Sequence, residues 1–131
     1  MNSYPIGDFL IRIKNGGAVD KKTVTVDWSK KLEEIAKVLI DGNLAAKYTV
    51  SKGKIKKEMT LELIYVSQDR PAVRKVKLFS KPGRRFYSSH RDLPYKDELN
   101  GIIIISTSQG MMTVEKARKN KLGGEVIAEI C

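Results

Sequence analysis

Residues 102–113 read Ile102-Ile103-Ile104-Ile105-Ser106-Thr107-Ser108-Gln109-Gly110-Met111-Met112-Thr113. Four consecutive β-branched residues with nothing polar between them predict a strand buried on both faces, since a half-exposed strand would alternate. The run is far too short to cross a bilayer. Three hydroxyls and a glycine then read as the exit of the strand, and Thr113 as the N-cap of a short helix reaching about Asn120. A junction of that kind can aim hydroxyls and backbone N–H groups at phosphate or ribose oxygens, helped by the positive end of the helix. An ordinary polar turn capped by Thr113 is the plainer account, and composition alone leaves both open. The Gly-Lys-Ser/Thr ending of a nucleotide-binding P-loop is absent.

Downstream, Glu125–Ile130 is a closing strand with Val126, Ala128 and Ile130 on one face. Upstream, Ala72–Ser80 predicts a strand, Lys81-Pro82-Gly83 a turn, Arg84–Tyr87 a short strand and His90–Leu99 an irregular segment. The polar stretch Ser67-Gln68-Asp69-Arg70-Pro71 is the best internal boundary. Before it, Ile6, Phe9, Leu10 and Ile13 have the spacing of one buried helical stripe, with Pro5 in the first turn and Gly16-Gly17 ending the element. Thr23–Val26 predicts a strand. Ser29 caps a second helix with stripe Leu32, Ile35, Ala36, Leu39 and Ile40, which Asp41-Gly42-Asn43 stops. Two strands, Leu44–Ser51 and Glu58–Val66, follow around a Lys-rich turn containing Gly53; in the second, Met59, Leu61, Leu63 and Tyr65 share a face. The expectation is an α+β chain of two small α/β domains. Residues 1–66 give helix, strand, helix, strand, strand; residues 67–131 give a mainly antiparallel sheet with one short helix.

The 131 residues carry 25 Lys and Arg against 15 Asp and Glu, a net charge of +10. An excess of that size favours polyanions, nucleic acid before anionic membrane. Two blocks contain no acid: Arg74 to Arg91, with Arg74, Lys75, Lys77, Lys81, Arg84, Arg85 and Arg91, and Lys47 to Lys57, with five lysines. Solvated surface is the competing account of either block alone. The single cysteine, Cys131, cannot close an internal disulfide and suits a reducing cytoplasm. Met1-Asn2-Ser3-Tyr4-Pro5 has no basic start before an apolar run, so no export signal is expected.

Catalytic constellations are scarce. One histidine, His90, and a distant cysteine give no metal-ligand spacing, and no cofactor is expected. Asp92, Asp97 and Glu98 share a loop without a second acidic cluster to complete acid–base chemistry. An enzyme using the hydroxyl-rich bend as an anion cradle would lack a base and a nucleophile pair. Lys81-Pro82-Gly83-Arg84-Arg85-Phe86-Tyr87 interleaves cations with aromatics: Arg forks can hold phosphate and an exposed ring can stack on a base. Its competing account is a β-turn with Phe86 in the core. A generic basic binder of DNA or lipid is the remaining alternative, and the lack of a basic amphipathic helix with bulky aromatics argues against lipid.

Three segments resemble a known family. Ser106–Thr113, with Ala117-Arg118-Lys119 and Gly123-Gly124-Glu125-Val126, is similar to the C-terminal signature of the ribosomal protein S8 family. Lys81–Tyr87 matches its Pro-Gly-x-Arg-x-Tyr segment, and Pro5–Asn15 its opening helix. The matches run in order over essentially the whole chain. The resemblance implies a non-catalytic, cytoplasmic component of the small ribosomal subunit that binds the central domain of small-subunit ribosomal RNA during assembly. It further implies contacts with neighbouring small-subunit proteins, no membrane partner and, in some bacterial members, binding to a messenger RNA of the protein's own operon. Carried over residue by residue, the RNA-binding positions are Ser106, Thr107, Ser108, Gly110, Gly124, Glu125 and Tyr87, with Lys81, Arg84 and Arg85 supplying charge and Arg12, Lys14, Ser29 and Lys30 from the N-terminal half. The chain departs from the family pattern at Tyr4, where an acidic cap is usual and Ser3 is the available substitute. It departs again at Ile11 for Thr, at Lys31-Leu32 for the reverse order, and at Lys116 for Glu, which prevents a reciprocal capping box.

Overall fold

The computed structural model describes residues 4–52, 55–97 and 101–131. The expected turn at Gly53, the acid Glu98 and the substitute cap Ser3 lie outside them. In chain order the elements are α1 (Pro5–Ala18), β1 (Thr23–Asp27), α2 (Lys30–Asp41), β2 (Ala45–Lys52), β3 (Lys57–Leu63), β4 (Tyr65–Ser67), β5 (Arg70–Pro71), β6 (Val76–Leu78), β7 (Tyr87–Ser88), β8 (Ile102–Thr107), β9 (Gly110–Thr113), α3 (Val114–Lys119) and β10 (Gly124–Ile130). The fold is α+β. Strands run β1-β3-β2 in one antiparallel sheet and β6-β10-β8-β9 in another, with β7 beside β10 and β4 paired only to β5.

α1 buries Phe9, Leu10 and Ile13 and starts on Pro5, but it does not stop at the glycine pair. Gly16 and Gly17 are buried helical residues because another part of the chain needs the room: a Cβ at Gly17 would stand 2.7 Å from Cβ of Pro71. Close packing outweighs the ~1 kcal/mol propensity cost of a helical glycine. In α2 the Ser29 hydroxyl accepts from the Leu32 amide at 3.2 Å, and Leu32, Ile35, Ala36 and Leu39 form the buried stripe. Ile40, expected on that stripe, is only half-buried.

Three strand expectations are corrected. Glu58–Val66 is not continuous: β3 ends at Leu63, and β4 turns into β5 around Asp69, whose φ of 63° makes the expected boundary a tight hairpin. Ala72–Ser80 contains only β6, because the amides of Arg74 and Lys75 both donate to the Cys131 carbonyl, each at 2.7 Å, wrapping the chain around the end of β10. Arg84–Tyr87 shrinks to β7, since Lys81 and Arg84 close a turn on each other at 3.0 and 2.9 Å.

The Ile run is buried on both sides as expected. Ile102 and Ile104 enter a cluster with Phe9, Leu10, Ile35, Leu39, Leu61 and Ile130, while Ile103 and Ile105 join Leu93, Met112, Val114, Ala117 and Val126. Burying each such side chain stabilises by about 1.5–3 kcal/mol. The larger cluster therefore draws on elements from both halves of the chain. β10 corrects the expected single face: its register shifts between Val126 and Ala128, so Val126 packs in the smaller cluster and Ala128 and Ile130 in the larger. An inserted residue reverses the alternation.

Ser80, fully buried, fastens the basic loop to this sheet: its hydroxyl donates to the Val126 carbonyl at 2.7 Å and accepts from the Phe86 amide at 3.0 Å. Ser80→Ala is expected to cost about 1–3 kcal/mol, because both backbone partners are left unsatisfied. Urea unfolding should show a lower midpoint at unchanged m; an unchanged midpoint would mean that water replaces the hydroxyl.

Candidate nucleic-acid interface

The hydroxyl-rich bend is a β-hairpin tip, not the strand-to-helix junction expected. Thr107 pairs with Gly110 and Ser106 with Met111, so β9 separates the bend from α3. The positive end of α3 consequently does not stand behind Ser106–Gly110, and an anion cradle of that type is ruled out there. Thr113 does cap α3, accepting from the Lys116 amide at 3.3 Å. Within the tip, the Thr107 hydroxyl donates to the Gly110 carbonyl at 2.9 Å and accepts from the Gln109 amide at 3.1 Å. It is committed to holding the turn. Among the described residues no hydrogen bond engages the hydroxyls of half-buried Ser106 or exposed Ser108. Gly110 takes φ 108°, a region that other residues avoid.

Strand register assembles the next part. Glu125 pairs with Tyr87 on one side and with Ser106 on the other. Directly opposed residues of antiparallel strands share a face, so Tyr87, Glu125 and Ser106 form one row across β7, β10 and β8. Gly124 makes this spacing possible: a Cβ there would lie 2.0 Å from the Ser106 carbonyl oxygen. Tyr87 is 70% exposed and offers a free ring face. Phe86 is not the core residue that the turn account supposed; it is 43% exposed and rests on Phe79, ring centroids 5.6 Å apart.

Beside the row, Lys81-Pro82-Gly83-Arg84 forms the turn, with Gly83 at φ 77°. Lys81 and Arg84 point cations into solvent. Arg85 instead lies 3.5 Å from Oε2 of Glu125 and 4.6 Å above the Tyr4 ring. Arg85, Glu125 and Tyr4, but not Lys81 or Arg84, open onto a groove of about 890 Å³ between the two halves, whose lining also includes Arg12, Trp28 and Ser29. Arg12 is braced there by a bond from Nη1 to the Thr25 carbonyl at 3.0 Å. Trp28 is held by an indole N–H bond to Glu33, which also accepts from Tyr48 at 2.9 Å, while Lys57 stands 4.7 Å over the indole ring. Bonds from Trp28 and Tyr48 hold the Glu33 carboxyl below its ordinary pKa, with Lys37 adding to the effect. Tyr4 is shifted the other way, upward, by burial first and then by Glu125, with Arg85 opposing.

Not every expected residue joins this surface. Lys31 lines the groove and its neighbour Lys30, though exposed, does not. Lys14 is separated from Arg12 by about 200° around a 3.6-residue helix, so the two face different ways. Among the described residues no group of His, Cys, Asp and Glu could hold a metal ion.

A sequence model of the family described as Ribosomal protein S8 matches residues 4–131. The chain belongs to the S8 family. The protein named small ribosomal subunit protein uS8 in Bordetella pertussis is 40% identical over 128 residues, covering 98% of this chain and 97% of the relative. The proteins of that name in Cupriavidus metallidurans and Mesoplasma florum are 39% and 40% identical over 128 residues, covering 98% of this chain and 97% and 98% of those relatives. In this S8 chain, sequence reasoning missed Tyr4 and Ser80. Tyr4 registered only as a missing acidic cap, and α1 indeed has no side-chain cap. The signal available was the neighbouring Gly7, where a Cβ would come within 2.6 Å of the Tyr4 ring, so that ring folds back over the first turn.

Proposed function

We propose that this S8 protein is a non-catalytic component of the small ribosomal subunit that binds the central domain of the ribosomal RNA and helps that domain assemble, working on cytoplasmic ribosomes. The observation carrying the reading is the row Tyr87–Glu125–Ser106 on adjacent strands beside the unengaged hydroxyl of Ser108 in the hairpin turn: a stacking face, an acceptor and two hydroxyls. Small groups of that kind read sugars and base edges where RNA is irregular, since the regular A-form major groove is too narrow for side chains. Gly124 lets β8 and β10 close up beneath that row, Gly110 gives the tip its φ of 108° beside Glu34, and Thr107 supports the turn. Lys81, Arg84, Arg12 and Lys30 add attraction without sequence preference, with Lys14 and Ser29 at the periphery. In this reading residues 67–131 form the recognition domain and residues 1–66 a supporting domain. Neighbouring small-subunit proteins and the messenger RNA of the protein's own operon are the further partners proposed. The names of the relatives support the ribosomal setting. No helix among the described residues is long and apolar enough to cross a membrane.

The test is a titration of a central-domain RNA fragment, a scrambled RNA and duplex DNA across salt. If about four phosphates are neutralised, binding should weaken roughly a hundred-fold from 50 to 200 mM salt. The cognate RNA should keep its advantage at every salt concentration. An advantage that vanishes would make the chain a generic basic binder.

A further inference from the structure

Arg85 is the cation of the 81–85 loop that the fold turns toward a carboxylate and a ring, with its side chain still 41% exposed. Its guanidinium sits 4.6 Å over the Tyr4 ring and 3.5 Å from Oε2 of Glu125, whereas no carboxylate among the described residues pairs with Lys81 or Arg84. The ring beneath it cannot retreat: Tyr4 is 8% exposed and is pressed against Gly7, with Leu78 beside it. Oε2 of Glu125 and the Tyr4 hydroxyl are both buried, and neither has a hydrogen-bond partner. Two polar atoms thus flank one guanidinium, which is kept there by charge, by the ring face and by their own lack of alternatives. Glu125 Oε1 is not among these buried atoms, and it belongs to the row between Tyr87 and Ser106.

A bare carboxylate beside a phosphate backbone would repel it. A carboxylate whose charge is cancelled from behind keeps its acceptor lone pairs without that penalty. We propose that Arg85 is a positioning residue that draws one oxygen of Glu125 inward so that the other accepts from an RNA donor, a 2′-hydroxyl or an exocyclic amine, and that Arg85 itself holds no phosphate. This assignment rests on the RNA-binding reading. It makes Glu125 a selective contact, because a partner lacking the donor leaves the acceptor unmatched.

Salt titrations of the central-domain RNA fragment decide it. Arg84→Gln should make the log–log salt slope shallower by about 0.9, the loss of one phosphate contact. The Arg85→Gln/Glu125→Gln double variant removes a neutral pair; it should keep the wild-type slope while losing about ten-fold in cognate affinity, as expected for one hydrogen bond. Glu125→Gln alone frees Arg85, so its slope should steepen by up to about 0.9 as the gap between cognate and scrambled RNA narrows. A purely structural ion pair would free Arg85 in the same way but would leave the gap between cognate and scrambled RNA unchanged. A double variant as shallow as Arg84→Gln would overturn the assignment, and so would Glu125→Gln with an unchanged slope should the double variant fail to fold. In either case wild-type preference for cognate RNA would leave the RNA reading standing; loss of that preference in the wild type would end both.

Discussion

Replacing Gly124 by alanine is expected to remove about 3 kcal/mol or more of folding stability, at the upper end of what overpacking usually costs. The added methyl would lie 2.0 Å from the carbonyl oxygen of Ser106, 3.0 Å from its carbonyl carbon and 3.2 Å from Cα of Thr107. All three are backbone atoms, and β8 cannot step aside because it is laddered to β10 on one side and to β9 on the other. The opposing strand is no freer. At Gly123 the same methyl would meet the Ser88 carbonyl oxygen at 2.6 Å. Relief would require separating β10 from β8 where Glu125 and Ser106 stand side by side, so RNA binding should fall with stability. Gly83→Ala makes the control. A Cβ there has nothing within 4 Å, and only its φ of 77° opposes the change. The strain of one left-handed residue should cost about 1–2 kcal/mol. Urea denaturation of the two variants compares a steric cost with a conformational one; a Gly124→Ala loss no larger than that of Gly83→Ala would show that the strands part easily.

The elements legible in the sequence were those whose signal is local and redundant. α2 announced itself through a capping serine and a stripe at helical spacing, and β8 through the absence of any polar residue in its apolar run. Failures came where a distant partner decides. Gly16-Gly17 signals a helix end in isolation, yet Val24 against Gly16 and Pro71 against Gly17 make the pair a packing surface. Alternation along β10 cannot reveal the register shift after Val126. β9 was hidden because Met111 and Met112 carry little strand signature, and Thr113 drew the reading toward its helix. For the candidate site, the family resemblance supplied the residues and the strand register supplied their arrangement. Neither separated Thr107, which spends its hydroxyl on the turn, from Ser106 and Ser108. Nor did either foresee Arg85 on Tyr4, since the two stand 81 residues apart in the sequence and meet only in the folded groove.

Ser106→Ala and Ser108→Ala should each weaken binding of the central-domain RNA by about 1–3 kcal/mol, or roughly 5- to 150-fold, if the hydroxyls are buried against RNA. Both hydroxyls are unengaged in the free protein, so removing them breaks no internal hydrogen bond and stability should stay within about 0.5 kcal/mol of wild type. Neither change alters charge, so the salt slope should also hold while the curves shift bodily to higher RNA concentration. Thr107→Ala should behave differently. It deletes the bonds to the Gly110 carbonyl and the Gln109 amide, so its first effect is on the hairpin, seen as faster amide exchange at Gln109 and Gly110 with a secondary loss of affinity. The contrast is the discriminating result, because three adjacent hydroxyls of similar size are assigned to two different tasks by geometry alone. Wild-type affinity in both serine variants, with Thr107→Ala the only damaging change, would mean that the tip supports a contact made elsewhere, and the recognition surface would have to be moved off Ser106 and Ser108.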